Sequence, residues 1–170
     1  TRLEPSHRKD YLRSGINLIQ ANINNIQINE AKEVIPMIDI QYTIETEQYG
    51  NKTGNRLFIP ANIFRKGFTT PDLKQRVQDI HINYGYLDTD SICLQIPEGY
   101  TIESLPKTCQ VTSSFGSFSS SLMIKDKEIC IIHRLLMHRG IYPKEIYKDF
   151  LEFRKQIAAQ YSSKIILKKE

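Results

Sequence analysis

The feature that most restricts the fold is an alternation of period two that recurs down the chain. Ile38, Ile40, Tyr42 and Ile44 alternate with Asp39, Gln41, Thr43 and Glu45. Such a pattern puts one face of a strand on a core and the other in water. Ile26 and Ile28 alternate with Gln27 and Asn29 in the same way. So do Ile80, Ile82 and Tyr84 with His81 and Asn83, and Ile92, Leu94 and Ile96 with Cys93 and Gln95. The segment 49–55 is turn-rich and leads into a short strand, Arg56–Ile59, stopped by Pro60, while 61–75 reads as loop with some helix.

Further along, Pro97-Glu98-Gly99-Tyr100 carries the Pro and Gly of a type II turn. Beyond Pro106 a meander is expected, with strands near 108–114, 117–124 and 128–138. Its third strand is apolar on both sides, which predicts a central strand covered on both faces. The clearer helical signals lie towards the two ends. Pro5 to Arg13 reads as a short helix stopped by Gly15, and 16–21 is ambiguous between helix and loop. From Pro143 to Tyr161, Ile146, Phe150, Phe153 and Ile157 fall on one helical stripe, and a last short strand follows at 164–168. That stripe reads as core. Tyr142, Tyr147 and Tyr161 flank it, and the alternative is an exposed aromatic rim for peptide or sugar.

The fold expected is mainly β: β-sandwich-like antiparallel sheets with one C-terminal amphipathic helix and a short N-terminal helix. The change of period divides the chain into an N-terminal helical joint to an upstream domain, 1–21, and an accessory domain, 22–170. A chain of 170 residues can hold its own core. Its net charge of +4 is scattered in mixed-sign pairs, which points away from nucleic acid. No apolar run approaches the ~20 residues that a membrane span needs.

Candidate chemistry is sparse. Cys93, Cys109 and Cys130 fit no CxxC or zinc spacing. The count allows one bridge, but thiols buried in strands are the preferred reading. Cys130 and His133 stand at i and i+3 of a strand, so they point to opposite faces and make no thiol–imidazole pair. His133 and His138 likewise make a poor metal pair, and His7 and His81 lack a carboxylate-rich context. Asp88-Thr89-Asp90 reads as a turn capping the next strand rather than a calcium loop. Asn51-Lys52-Thr53 and Asp90-Ser91-Ile92 match short glycosylation patterns of low specificity. No phosphate loop, HExxH or GxSxG is present. On this reading no catalytic, cofactor-binding or metal residue is assigned, and no cofactor is expected.

The run from Arg76 to Lys169 carries a resemblance. Its parts are Arg76–Ile82, Asp88–Ile92, the turn Ile96-Pro97-Glu98-Gly99-Tyr100 through Leu105-Pro106, Phe115–Phe118, Tyr142–Tyr147 and Ser163–Lys169. Together they resemble the C-terminal domain of unknown function (3858-type) of exported transglutaminase-like proteins from gut-associated Gram-negative bacteria. The strand at Ile38–Ile44 and the segment Arg56–Pro60 resemble the stretch that links this domain to the enzyme-like core. The resemblance implies a periplasmic, cell-surface or secreted location. It also implies a non-catalytic accessory role beside an upstream transglutaminase-like domain, packing on it or helping to recruit a peptide or glycan. The family's catalytic Cys, His and Asp have no matching positions here. The alternative is a stand-alone small hydrolase or thiol enzyme.

Overall fold

The computed structural model describes residues 5–18, 20–64, 71, 73 and 76–170, with side chains from His7 onward. The chain is mainly β, its named strands pair antiparallel, and it has a short N-terminal and a longer C-terminal helix. It divides into two compact units, Thr1–Asn51 with Ile63–Arg65, and Lys52–Asn62 with Lys66–Glu170. The stretch 1–21, expected as a joint, falls inside the first unit, which also takes in the first two strands.

In the first unit, α1 (Pro5–Ser14) ends where the Gly15 amide donates to the Leu12 carbonyl. Leu12 and Ile16 are buried, Tyr11 is exposed, and Ile19 lies outside the described residues. Ile16 makes an isolated antiparallel bridge to Phe64, and the Asn17 amide donates to the Ile63 carbonyl at 2.7 Å.

Strands β1 (Asn22–Ala31) and β2 (Met37–Glu45) follow as an antiparallel hairpin. Their apolar residues pose a problem of parity. After Met37 those of β2 are all even-numbered, Ile38 to Ile44, whereas in β1 they run Ile23, then Ile26 and Ile28. A strictly alternating strand would turn Ile23 away from the other two. The register shifts between Asn24 and Gln27, with Asn25 at φ 53°, and this bulge absorbs the odd residue. Ile23 then stands opposite Ile44, and Ile28 opposite Ile40. One face of the hairpin is thereby apolar, and the other carries Asn22, Asn24, Gln27 and Asn29 against Asp39, Gln41, Thr43 and Glu45.

The second unit is β-sandwich-like. One four-stranded sheet has the order β3-β4-β12-β7, with β3 at Asn51–Thr53, β4 at Arg56–Pro60, β7 at Tyr100–Ser104 and β12 at Lys164–Lys169. The other has the order β6-β10-β9-β8, with β6 at Tyr86–Gln95, β8 at Cys109–Ser113, β9 at Gly116–Lys125 and β10 at Glu128–Met137. A short pair joins β5 (Ile80–Ile82) to β11 (Gly140–Tyr142). After a 3-10 turn at Lys144–Ile146, α2 runs from Tyr147 to Tyr161. In the first sheet Ile59 and Ile165 are buried directly opposite one another, and Leu167 is buried beside them. The type II turn is present: Gly99 has φ 75°, and the Tyr100 amide donates to the Pro97 carbonyl at 3.2 Å.

Helix α2 packs on the inner face of the second sheet. Its Tyr147, Leu151, Phe153, Ile157 and Tyr161 are buried in one cluster with Phe118, Leu135 and Met137. The stripe is therefore core, but it is wider than the expected set. Tyr147 and Tyr161 lie within it, because 14 residues bring them back to nearly the same helical face after four turns. An exposed aromatic rim is thus excluded for both. Tyr142 is half-buried, 4.7 Å from the Phe115 ring, and its hydroxyl donates to the His138 carbonyl at 3.3 Å.

Strand β10 pairs over ten residues with β6 on one side and β9 on the other, so it is central as expected. Its outer face is covered only in part, with Cys130 buried and Ile132 half-buried there. Ile129, Ile131, His133, Leu135 and Met137 are buried on the α2 side, while Arg134 and Leu136 are exposed on the other. At the end of this strand pair Gly116 has φ 148°, and a Cβ there would lie 1.9 Å from the Leu136 carbonyl oxygen. Backbone cannot give way cheaply, so Gly116→Ala should cost roughly 3 kcal/mol. Urea unfolding checks this, and an unchanged midpoint would contradict the packing.

Candidate functional site

The cysteines depart from expectation. Cys93 on β6 and Cys130 on β10 are register partners, with Cα atoms 4.0 Å apart, and form a disulfide. The preferred reading of free thiols holds for Cys109 alone. Sequence separation hides the pairing. Ten residues of strand register place the two side chains opposite one another on the outer face of the sheet. Burial pushes the Cys109 thiol up, against a smaller opposing effect from its hydrogen bond to the Ser120 backbone. That shift lowers its thiolate fraction.

His133 points to the other side of β10 from Cys130, as the strand period requires. It is fully buried between aromatic rings, 5.8 Å from Phe118 and 4.7 Å from Tyr161. Directly across the ladder stands Asp90. Asp88-Thr89-Asp90 is thus not a turn but the middle of β6, with both carboxylates on the inner face and Thr89 outward. Aspartates are poor strand formers in general. Here the Tyr161 hydroxyl donates to Asp90 Oδ2 at 3.2 Å. Nearby, burial lowers the Arg154 pKa, opposed by Tyr86.

Burial first, then the charges of Asp90 and Asp88, hold the Tyr161 phenol well above its ordinary value of 10.0. Above pH 10.0 the unfolded phenol ionises while the folded one resists, so stability is full below that pH and falls as pH rises past it. Alkaline unfolding followed by circular dichroism should therefore be steeper in the native chain than in Tyr161→Phe. Equal slopes would contradict the assignment. At neutral pH the same substitution should cost about 1–2 kcal/mol, through the lost hydrogen bond to a charged group.

The strongest surface feature lies in the first unit. Towards the hairpin tip its apolar residues are bare: Val34 is 102% exposed, Ile35 83%, Met37 61% and Ile38 66%. Ile38 and Ile40 belong to the apolar face, whose base is covered at Ile23. The expectation that this face of β2 lies on a core therefore holds only towards its base. Among the described residues β1 and β2 form a sheet of two strands, and such a sheet is marginal by itself in water. At the base is a shallow groove of about 570 Å³, lined by Arg8, Lys9, Asn24, Asn25, Ile26 and Glu45. The signal for the tip was the run Val34-Ile35-Pro36-Met37-Ile38, apolar where a hairpin turn is normally polar.

Residues 55–167 match a family described as a domain of unknown function with a solved structure, DUF3858. The chain belongs to this family. No curated protein and no solved structure gives a significant match. The DUF3858 match runs from Asn55 to Leu167, so it begins three residues into the second compact unit and leaves α1, β1, β2 and β3 outside. The bare hairpin is thus carried by the stretch that precedes the DUF3858 domain. The other candidates are dispersed. His7 and the exposed Asn51-Lys52-Thr53 lie outside the match, while Ser91 is exposed on the outer face of β6. Among the described residues no helix is long and apolar enough to cross a membrane.

Proposed function

We propose that this chain is a non-catalytic accessory module that docks through its β1–β2 hairpin on an upstream transglutaminase-like domain of the same polypeptide. The observation that carries this is the bare apolar face and tip at Val34, Ile35, Met37, Ile38 and Ile40. Contiguous exposed aliphatic side chains on a two-stranded sheet are unfavourable in water and mark an interaction surface. The position of the hairpin just before the DUF3858 domain suits a segment lying against a preceding domain. The docked module would position that domain or help bring a peptide or glycan to it. The Cys93–Cys130 bridge favours an oxidising compartment, which fits a periplasmic, cell-surface or secreted location.

The coding sequence preceding Thr1 provides the first test. A transglutaminase-like core with Cys, His and Asp there supports the proposal, and its absence sinks it. The second test is binding. The separately produced core should bind this chain in calorimetry, and Ile35→Asp with Ile38→Asp should weaken that binding at least tenfold while leaving the thermal midpoint of the free chain nearly unchanged. Equal affinity for the double variant would show that the hairpin is not the contact. Assayed alone on peptide and glutamine-donor substrates, the chain should show no turnover. Turnover abolished by Cys109→Ser would overturn the non-catalytic reading.

A further inference from the structure

On the outer face of the second sheet, the Cys93–Cys130 pair has a third neighbour. Glu128 stands two residues before Cys130 on the same strand and hence on the same face, with Oε2 3.7 Å from the Cys130 sulfur. Ligand atoms of Cys93, Glu128 and Cys130 all lie within 4.8 Å of one another. The other carboxylate oxygen of Glu128 accepts a hydrogen bond from Gln95 Nε2 at 2.9 Å, which fixes the group in the plane of the patch. On the far side of Cys130 its register partner on β9 is Met123, whose thioether side chain is exposed on this face. Cys93 is also exposed, Glu128 is half-buried and Cys130 is buried, so solvent species reach the patch from the Cys93 side.

We infer that reduction of the Cys93–Cys130 bridge creates a binding site for a thiophilic divalent cation of the zinc type, held by the two thiolates and Glu128. The chemistry balances in two steps. A dithiol reductant gives two electrons and two protons to the S–S bond and is itself left as a disulfide, and Cys93 and Cys130 become thiols. The cation then displaces both thiol protons to solvent as two S–metal bonds form. Two sulfurs on a tetrahedral zinc-type ion, each at about 2.3 Å, lie roughly 3.8 Å apart. Directly opposed residues of an antiparallel pair reach that separation by side-chain rotation, with the ladder left intact. Glu128 supplies a third donor, and its bond from Gln95 plays the part of the outer-shell contacts that orient carboxylate ligands. Either the Met123 sulfur or water completes the four. The bridged form offers no thiolate, so the cation is taken up only when the pair is reduced.

The experiment uses the full chain, reduced with a phosphine and titrated with Co2+ as a spectroscopic stand-in. A thiolate-to-cobalt charge-transfer band should appear in the near ultraviolet and saturate at one ion per chain, and Zn2+ should bleach it. Oxidised protein should give no band. Cys93→Ser and Cys130→Ser should each lower affinity by at least 100-fold, Glu128→Gln by about tenfold, and Cys109→Ser should change nothing. The inference is overturned by the absence of a band in reduced, folded protein, or by a band that depends on Cys109. A complex of two chains per ion overturns it as well. So does loss of the strand signal in circular dichroism on reduction with the ion present, because the site needs the β6–β10 ladder.

Discussion

Phe153→Ala should destabilise the second unit by about 3–5 kcal/mol and lower the thermal midpoint on the order of 10 °C. Phe153 is almost completely buried, in one cluster with Phe118, Leu135 and Met137. Truncation removes the transfer free energy of the ring and leaves a cavity that a close-packed sheet and helix fill only in part. Phe150 provides the internal comparison. It is half-buried at the margin of the same cluster, with an edge contact to Phe115 at a centroid distance of 5.0 Å. Phe150→Ala should therefore cost clearly less, about 1–3 kcal/mol. Equal costs, or no change for Phe153→Ala, would show that α2 does not seat its stripe on this sheet.

Loss of the Cys93–Cys130 bridge should cost a similar amount. The two residues are 37 apart in sequence. Closing a loop of that size in the unfolded chain corresponds to about 4 kcal/mol in the chain-entropy account. The segment spanned contains β7, β8 and β9, so the cross-link keeps a large part of the second sheet from dispersing when the chain unfolds. Urea unfolding of the double variant Cys93→Ala with Cys130→Ala, beside Cys109→Ala as a control, checks the figure. The double variant should unfold at markedly lower urea, and the added effect of a reductant should be confined to the native chain. Identical midpoints for native and double variant would mean that the bridge contributes nothing to stability.

Much of the fold was legible because alternation is a local signal. Ile38 to Ile44, Ile80 with Ile82, and the three meander strands each declare themselves within a few residues. The bulge at Asn24–Gln27 is visible as a parity conflict once Ile23 is set beside Ile26 and Ile28. Strand β11, Gly140-Ile141-Tyr142, has no alternation to read, and β7 offers only Tyr100 and Ile102. Other features depended on distant partners. Asp88 and Asp90 look like turn residues until Tyr161, 71 residues after Asp90, is brought against them. The Cys93–Cys130 pairing and its Glu128 neighbour depend on the register between β6 and β10, which no spacing encodes. The apolar run in β10 shows a strand central in its sheet, but not whether a second layer covers its outer face. For the candidate surface, the apolar residues at 34–38 mark it in the sequence, and the occupant's chemistry leaves no local trace.

The place of β12 in its sheet sets an order of events during synthesis. β12 lies between β4 and β7, pairing Ile165 with Ile59 on one side and Leu167 with Ile102 on the other. In that sheet β4 and β7 are therefore joined only through the element that is translated last of the three. A nascent chain that has emerged only as far as α2 holds the β3–β4 hairpin and β7 with unsatisfied inner edges, open to pairing with other chains. The inner edges close about one hundred residues after β4 was made, and such distant pairing is slow. Completion of this layer thus waits for β12, and until it is made those edges are shielded only by what has already collapsed around them.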